Sequence, residues 1–154
     1  YPPHCIEGTG EELIDPELEF LLTQPNVEVI RKDCINGYVG AQVGKDNLFR
    51  NWMIDKEIRS LLVCGDCTDI CVSDFVLTTL SARNHGRFTL ANPSGTEREQ
   101  YVQDITGLDI VILADACETF DAPAIGHDRE ASHHVGLWMM ASRGAILASG
   151  KSPD

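Results

Sequence analysis

The stretch that most constrains this chain is Leu61-Leu62-Val63-Cys64-Gly65-Asp66-Cys67-Thr68-Asp69-Ile70-Cys71-Val72. Ser60 to Cys64 is a short apolar run stopped by Gly65, which reads as a buried strand of a parallel sheet. Thr68 suits a helix N-cap, and Asp69 suits the positive end of a helix. Val72, Phe75, Val76 and Leu80 recur at helical spacing, and Asn84-His85-Gly86 supplies a stop. With Thr68 as the cap, Cys71 falls on the first turn. There the helix dipole and unpaired N–H groups favour thiolate over thiol, and with the Cys67 amide they can hold an oxyanion. Strand-to-helix junctions are also where open α/β sheets place ligands. Cys71 is therefore the candidate nucleophile.

Two plainer readings compete. A cysteine at a helix start is often only a small buried residue. Cys64, Cys67 and Cys71 also have C-x2-C-x3-C spacing, which suits zinc or redox chemistry. Against the cluster, no second cysteine pair or His-x-His follows at ligand spacing, and Cys64 is expected to pack into the sheet.

The remaining elements follow from patterning. Pro16 opens a short helix, Glu17 to Thr23. Val27 to Arg31 alternates and reads as a strand ending at Lys32. Asp33 to Asp46 is a glycine-rich loop carrying Tyr38. Asn47 to Glu57 reads as an amphipathic helix with Leu48, Trp52 and Ile54 inward. Glu97 to Ile105 is a loosely packed helix, and Asp109 to Ala114 a buried strand. His127 to Arg143 is a helix with an apolar face of Val135, Leu137, Trp138 and Met139, and Ala145 to Ala148 is the last strand. Alternating strands and helices define an α/β class with a parallel sheet.

The chain has 154 residues, enough for a single domain with a real core. Lysine and arginine number 12 against 24 aspartate and glutamate, a formal net charge of -12. No basic face is available for nucleic acid. No apolar run approaches the length of a membrane span. The six cysteines are unevenly placed, three of them in one turn, which points to a reducing, cytoplasmic setting. The chain opens Tyr1-Pro2-Pro3, without methionine and in a loop-like stretch, so it reads as N-terminally incomplete.

Several segments together resemble the isochorismatase-like cysteine hydrolases, and within them the plant-type nicotinamidases. Pro2-Pro3-His4-Cys5-Ile6-Glu7-Gly8-Thr9 resembles the P-x-H-C-x-x-G-T segment of that family. Arg31-Lys32-Asp33-Cys34-Ile35-Asn36-Gly37 resembles the strand end carrying its lysine. Gly65 to Val72 is similar to its G-x-x-T-D-x-C-V nucleophile segment. Ser81-Ala82-Arg83-Asn84 continues the plant-like pattern, and Asp115-Ala116-Cys117 is similar to its acidic loop. Residues 88–108 look like an insertion or a divergent connection.

The resemblance implies a three-layer αβα fold with a mostly parallel sheet and amide hydrolysis through a Cys–Lys–Asp triad. Carried onto this chain, Cys71 attacks the carboxamide of nicotinamide and Lys32 stabilises negative charge. The Asp66–Cys67 peptide is expected cis, aiming the Cys67 and Cys71 amides at the oxyanion. His4 corresponds to a ligand of a divalent metal (zinc, iron or manganese), and Tyr38 to a pocket residue. The general-base aspartate and most metal ligands would lie upstream of residue 1, with the first two strands. In the strand order 3-2-1-4-5-6, those absent strands would separate the strand of Lys32 from that of Gly65. These residues alone are then expected to be neither stable nor active. The implied partner is a small amide, and self-association into a homo-oligomer is compatible with the acidic surface. The same fold also serves ureidoacrylate, carbamoyl amides or isochorismate, and an inactive binding paralogue would keep it too.

Overall fold

The computed structural model describes residues 3–91 and 107–150. The expected helix over 97–105 lies outside these, as does most of the suspected insertion. The chain divides into two compact units, Tyr1–Ile30 and Arg31–Asp154. In the first, a 3-10 helix spans Pro16–Thr23, with Asp15 Oδ1 accepting from the Glu17 N–H at 2.9 Å. Proline in the first turn and an aspartate cap are a standard start.

The second unit begins with a one-turn helix, α1 (Gly37–Gly40), and a small hairpin of β1 (Gln42–Val43) and β2 (Asp46–Asn47). Helix α2 (Leu48–Asp55) follows, capped by Asn47, whose side chain accepts from the Arg50 N–H. Then come β3 (Ser60–Asp66), a π-helical turn at Thr68–Val72, α3 (Ser73–Ala91) and β4 (Asp109–Glu118). Helix α4 (Arg129–Ser142), capped by Asp128, and β5 (Ile146–Ala148) complete the unit.

β3, β4 and β5 form a parallel sheet in that order. Leu61 pairs with Ile110, and Val63 with Ile112 and, across β4, Leu147. Ile110 and Ile112 are buried on the face covered by Val76 and Leu80 of α3 and Met140 of α4. Each such side chain contributes about 1.5–3 kcal/mol relative to exposure. β3 is not buried on both faces as expected. Leu62 pairs with Val111, which pairs with Ile146, and Leu62 is 65% exposed. Cys64, two residues on, is exposed with it and does not pack into the sheet.

Four further expectations are revised. Residues 27–32 form no strand, because a strand persists only with a ladder partner for its N–H and C=O groups. β4 runs on to Glu118: after Val63–Ile112 the register shifts, and Gly65 pairs with Cys117. α3 passes straight through Asn84-His85-Gly86 to Ala91, because each of these residues costs at most about 1 kcal/mol inside a helix. The inward faces also differ. In α2 it is Met53 that is buried, while Leu48 is exposed. In α4 it is Gly136, Leu137 and Met140, while Val135 and Trp138 face outward.

Candidate functional site

The turn between β3 and α3 begins with a cis peptide, Asp66–Cys67, where it was expected. The local geometry beyond it differs from the expectation. Cys67, not Thr68, is the residue at the cap position, and it makes no side-chain cap bond. Its carbonyl accepts from the Ile70 N–H at 3.2 Å and from the Val72 N–H at 3.1 Å. The second bond spans five residues, which widens the turn into a π-helix, a form that recurs at functional sites. The Thr68 side chain is buried and faces the Nδ1 of His133 at 2.9 Å. Cys71 is half-buried, four residues past Cys67.

Lys32 reaches this sulfur. Its Nζ lies 3.7 Å from Cys71 Sγ and donates to the carbonyls of Cys34 at 2.9 Å and Ile35 at 3.2 Å. Two carbonyl dipoles and a sulfur thus share one ammonium, three acceptors for three N–H bonds. The lysine segment is docked on the helix that follows the cysteine. Asn36 Oδ1 accepts from the Tyr38 and Val39 N–H groups, capping α1. Its Nδ2 donates to Thr78 Oγ1 at 2.7 Å and to the Asp74 carbonyl at 3.2 Å, both on α3. Gly40 completes the fit, since a Cβ there would fall 2.5 Å from Lys32 Cβ. The dipeptide Asn36-Gly37 carried a readable cap signal for this small helix, and the sequence reading passed over it.

Tyr38 is half-buried at the head of an aromatic group. Its ring meets Phe49 edge-on at 6.1 Å, and Phe49 meets Phe75 at 4.9 Å. Its carbonyl accepts from Asn47 Nδ2 at 2.7 Å. His4 is exposed and belongs to the first unit, whereas Lys32 and Cys71 belong to the second. Among the described residues no three His, Cys, Asp or Glu side chains converge to hold a metal. His4 supplies at most one ligand, whereas a protein site for a divalent ion needs at least three. The residues described do not by themselves fit the implied metal, and no chemical step is routed through one. The triplet Cys64, Cys67 and Cys71 forms no such site either.

The thiols of the turn are not alike. Burial, reinforced by a hydrogen bond to the Asp66 carboxylate, pushes Cys67 up to about 11, so it stays a neutral thiol at ordinary pH. Burial likewise raises Cys117. A cavity of about 380 Å³ opens near the end of β4, lined in part by Cys117, Glu118, Arg129 and His133; neither Cys71 nor Lys32 lines it. At its edge Arg129 pairs with both oxygens of Glu118, and this hydrogen bond pulls the carboxyl down to about 2. Asp69, Thr119 and His127 form a further polar group beside the turn, which sequence reasoning missed; residues 50 and 58 positions apart gave no local signal.

A lysine and a cysteine 39 positions apart in the sequence thus meet at a strand–helix junction. No family model matches the chain. Over 97% of its length it is 41% identical to Nicotinamidase 1 from Arabidopsis thaliana. The crystal structure of nicotinamidase PncA from Bacillus subtilis superposes with a TM-score of 0.65 at 21% identity, covering 97% of this chain. A structure of nicotinamidase/pyrazinamidase PncA from Bacillus subtilis gives the same score and identity. Over nearly its whole length the chain is similar to nicotinamidases, which is consistent with the isochorismatase-like hydrolase family. Its three-stranded parallel sheet with α3 and α4 is consistent with the αβα fold of that family. The chain spans 59% of the plant relative's length and 64% and 63% of the two bacterial chains.

Proposed function

We propose that this chain carries the nucleophile and the charge-stabilising lysine of an amidohydrolase that converts nicotinamide to nicotinate and ammonia. The observation that carries the reading is the 3.7 Å approach of Lys32 Nζ to Cys71 Sγ. The identity to a plant nicotinamidase supports the choice of substrate.

In this reading the Cys71 sulfur attacks the carboxamide carbon. A C–S bond forms, the C=O π pair moves onto oxygen, and the amides of Cys67 and Cys71 take the resulting oxyanion. Collapse breaks the C–N bond. The proton given up by the thiol leaves with the nitrogen, so thiol and carboxamide become thioester and ammonia. Water then cleaves the thioester, giving nicotinate and restoring the thiol. Lys32, fixed by two carbonyls, holds its positive charge beside the sulfur as negative charge develops there. Tyr38 lies on α1, beside the lysine segment, and in this reading it contacts the substrate.

Ammonia release from nicotinamide by the full-length protein tests the reading. Cys71→Ser is expected to lower it by on the order of 10^4-fold or more, as removal of a covalent nucleophile does. Release at the unsubstituted rate would refute the assignment. Activity on another small amide, with nicotinamide inert, would keep the nucleophile and replace the substrate.

A further inference from the structure

The turn that carries Cys71 is held from outside at three points, none of which touches the sulfur. Asp69 Oδ1 accepts from Thr119 Oγ1 at 2.7 Å, and Asp69 Oδ2 faces His127 Nε2 at 2.9 Å. The other ring nitrogen of His127 lies 3.0 Å from the Phe120 carbonyl, and the ring stacks on Phe120 with centroids 4.2 Å apart. Thr68 meets His133 of α4, as described above. Finally, α4 approaches so closely at Gly136 that a Cβ there would fall 2.8 Å from Asp69 Cα and 3.0 Å from its nitrogen. Burial raises the Asp69 carboxyl, but hydrogen bonds from Thr119 and His127 outweigh it and hold the group below its ordinary range.

Asp69 sits two residues before Cys71 within a five-residue turn of π-helical form. Such turns are rare and recur at functional sites. Rotating Asp69 rotates Cys71 with it. We propose that His127 and Thr119 are positioning residues: acting through the Asp69 carboxylate, they fix the turn and so aim the Cys71 sulfur at its target. The inference rests on the reading of Cys71 as nucleophile and adds the residues that orient it.

Two substitutions at residue 127 separate this from a merely structural role. His127→Gln places an amide nitrogen near the Nε2 position and keeps donation to Asp69. His127→Asn places one near Nδ1, keeps the Phe120 carbonyl and leaves Asp69 without that donor. Both lose the stacked ring equally. The experiment follows iodoacetamide labelling of each cysteine by peptide mass in the native protein. Exposed Cys64 serves as the internal standard and buried Cys117 as the unfolding reporter. His127→Asn is expected to slow Cys71 labelling roughly tenfold relative to Cys64, the cost of a small misplacement of a reacting group. His127→Gln restores most of the rate. Should His127→Asn expose Cys117, Thr119→Val, which removes the other donor while keeping the shape, decides in its place by the same selective loss. Equal losses in Gln and Asn, or no loss in either, would overturn the proposal. Cys71 labelling no faster than Cys64 in the unsubstituted protein would remove the nucleophile reading and this inference together. Fast Cys71 labelling left unchanged by His127→Asn and Thr119→Val would remove the inference alone.

Discussion

Lys32 and Gly40 show how little room the site leaves. A methyl group at residue 40 would overlap the lysine's Cβ at 2.5 Å and crowd its Cα at 3.1 Å. Neither atom is the free end of a flexible chain, so the backbone must shift. Gly40→Ala is expected to cost about 1–3 kcal/mol, the usual range for overpacking, and to lower ammonia release by displacing Lys32 from the sulfur. Urea unfolding followed alongside the activity assay checks both effects; an unchanged midpoint with unchanged activity would contradict the fit. At this scale the sequence was legible where motif and chemistry coincide. Cys71 was picked out from the residues around it and Lys32 from the family resemblance, and the two side chains lie 3.7 Å apart. Asp69 was read only as a charge at a helix start. Its partners, Thr119 and His127, sit beyond the next strand, and no pattern within a helix or strand could link them.

At the scale of elements, apolar runs told the truth about strands that have neighbours. β3, β4 and β5 were each anticipated within a few residues: Leu61, Ile110 and Ile112 are buried in the ladder, while Leu62, Ile146 and Leu147 keep the apolar pattern of strands but stay exposed. The run at Val27 to Arg31 has the same alternation but forms no strand, since alternation supplies a face and not a hydrogen-bonding partner. Helices α2 and α4 were placed well and their faces poorly. Val135 and Trp138 belong to the apolar pattern of α4 but point away from the sheet, and a residue's hydrophobicity does not say which side another element will occupy. The docking of α1 on α3 carries its own prediction. Asn36 caps α1 with its carbonyl oxygen and bonds α3 with its amide. Asn36→Ala removes both, and a loss of about 1–2 kcal/mol is expected from the cap alone. Chemical denaturation reads it directly, and an unchanged stability would mean that the lysine segment is held by other contacts.

At the scale of the molecule, a cysteine from one βα junction and a lysine from a preceding loop are brought together on a parallel sheet. The fold class was readable from the alternation of strands and helices. The division into Tyr1–Ile30 and Arg31–Asp154 was not, because no composition shift marks it. None of the helices among the described residues is long and apolar enough to cross a membrane. The catalytic proposal requires one covalent event on one atom. Acid-quenching the protein during turnover of nicotinamide and mapping its peptides by mass measures that event. The proposal predicts a nicotinoyl group on the peptide bearing Cys71, lost on mild alkaline hydrolysis as a thioester is. Nicotinate and ammonia accumulating while that peptide stays unmodified and another residue carries the acyl group would contradict it.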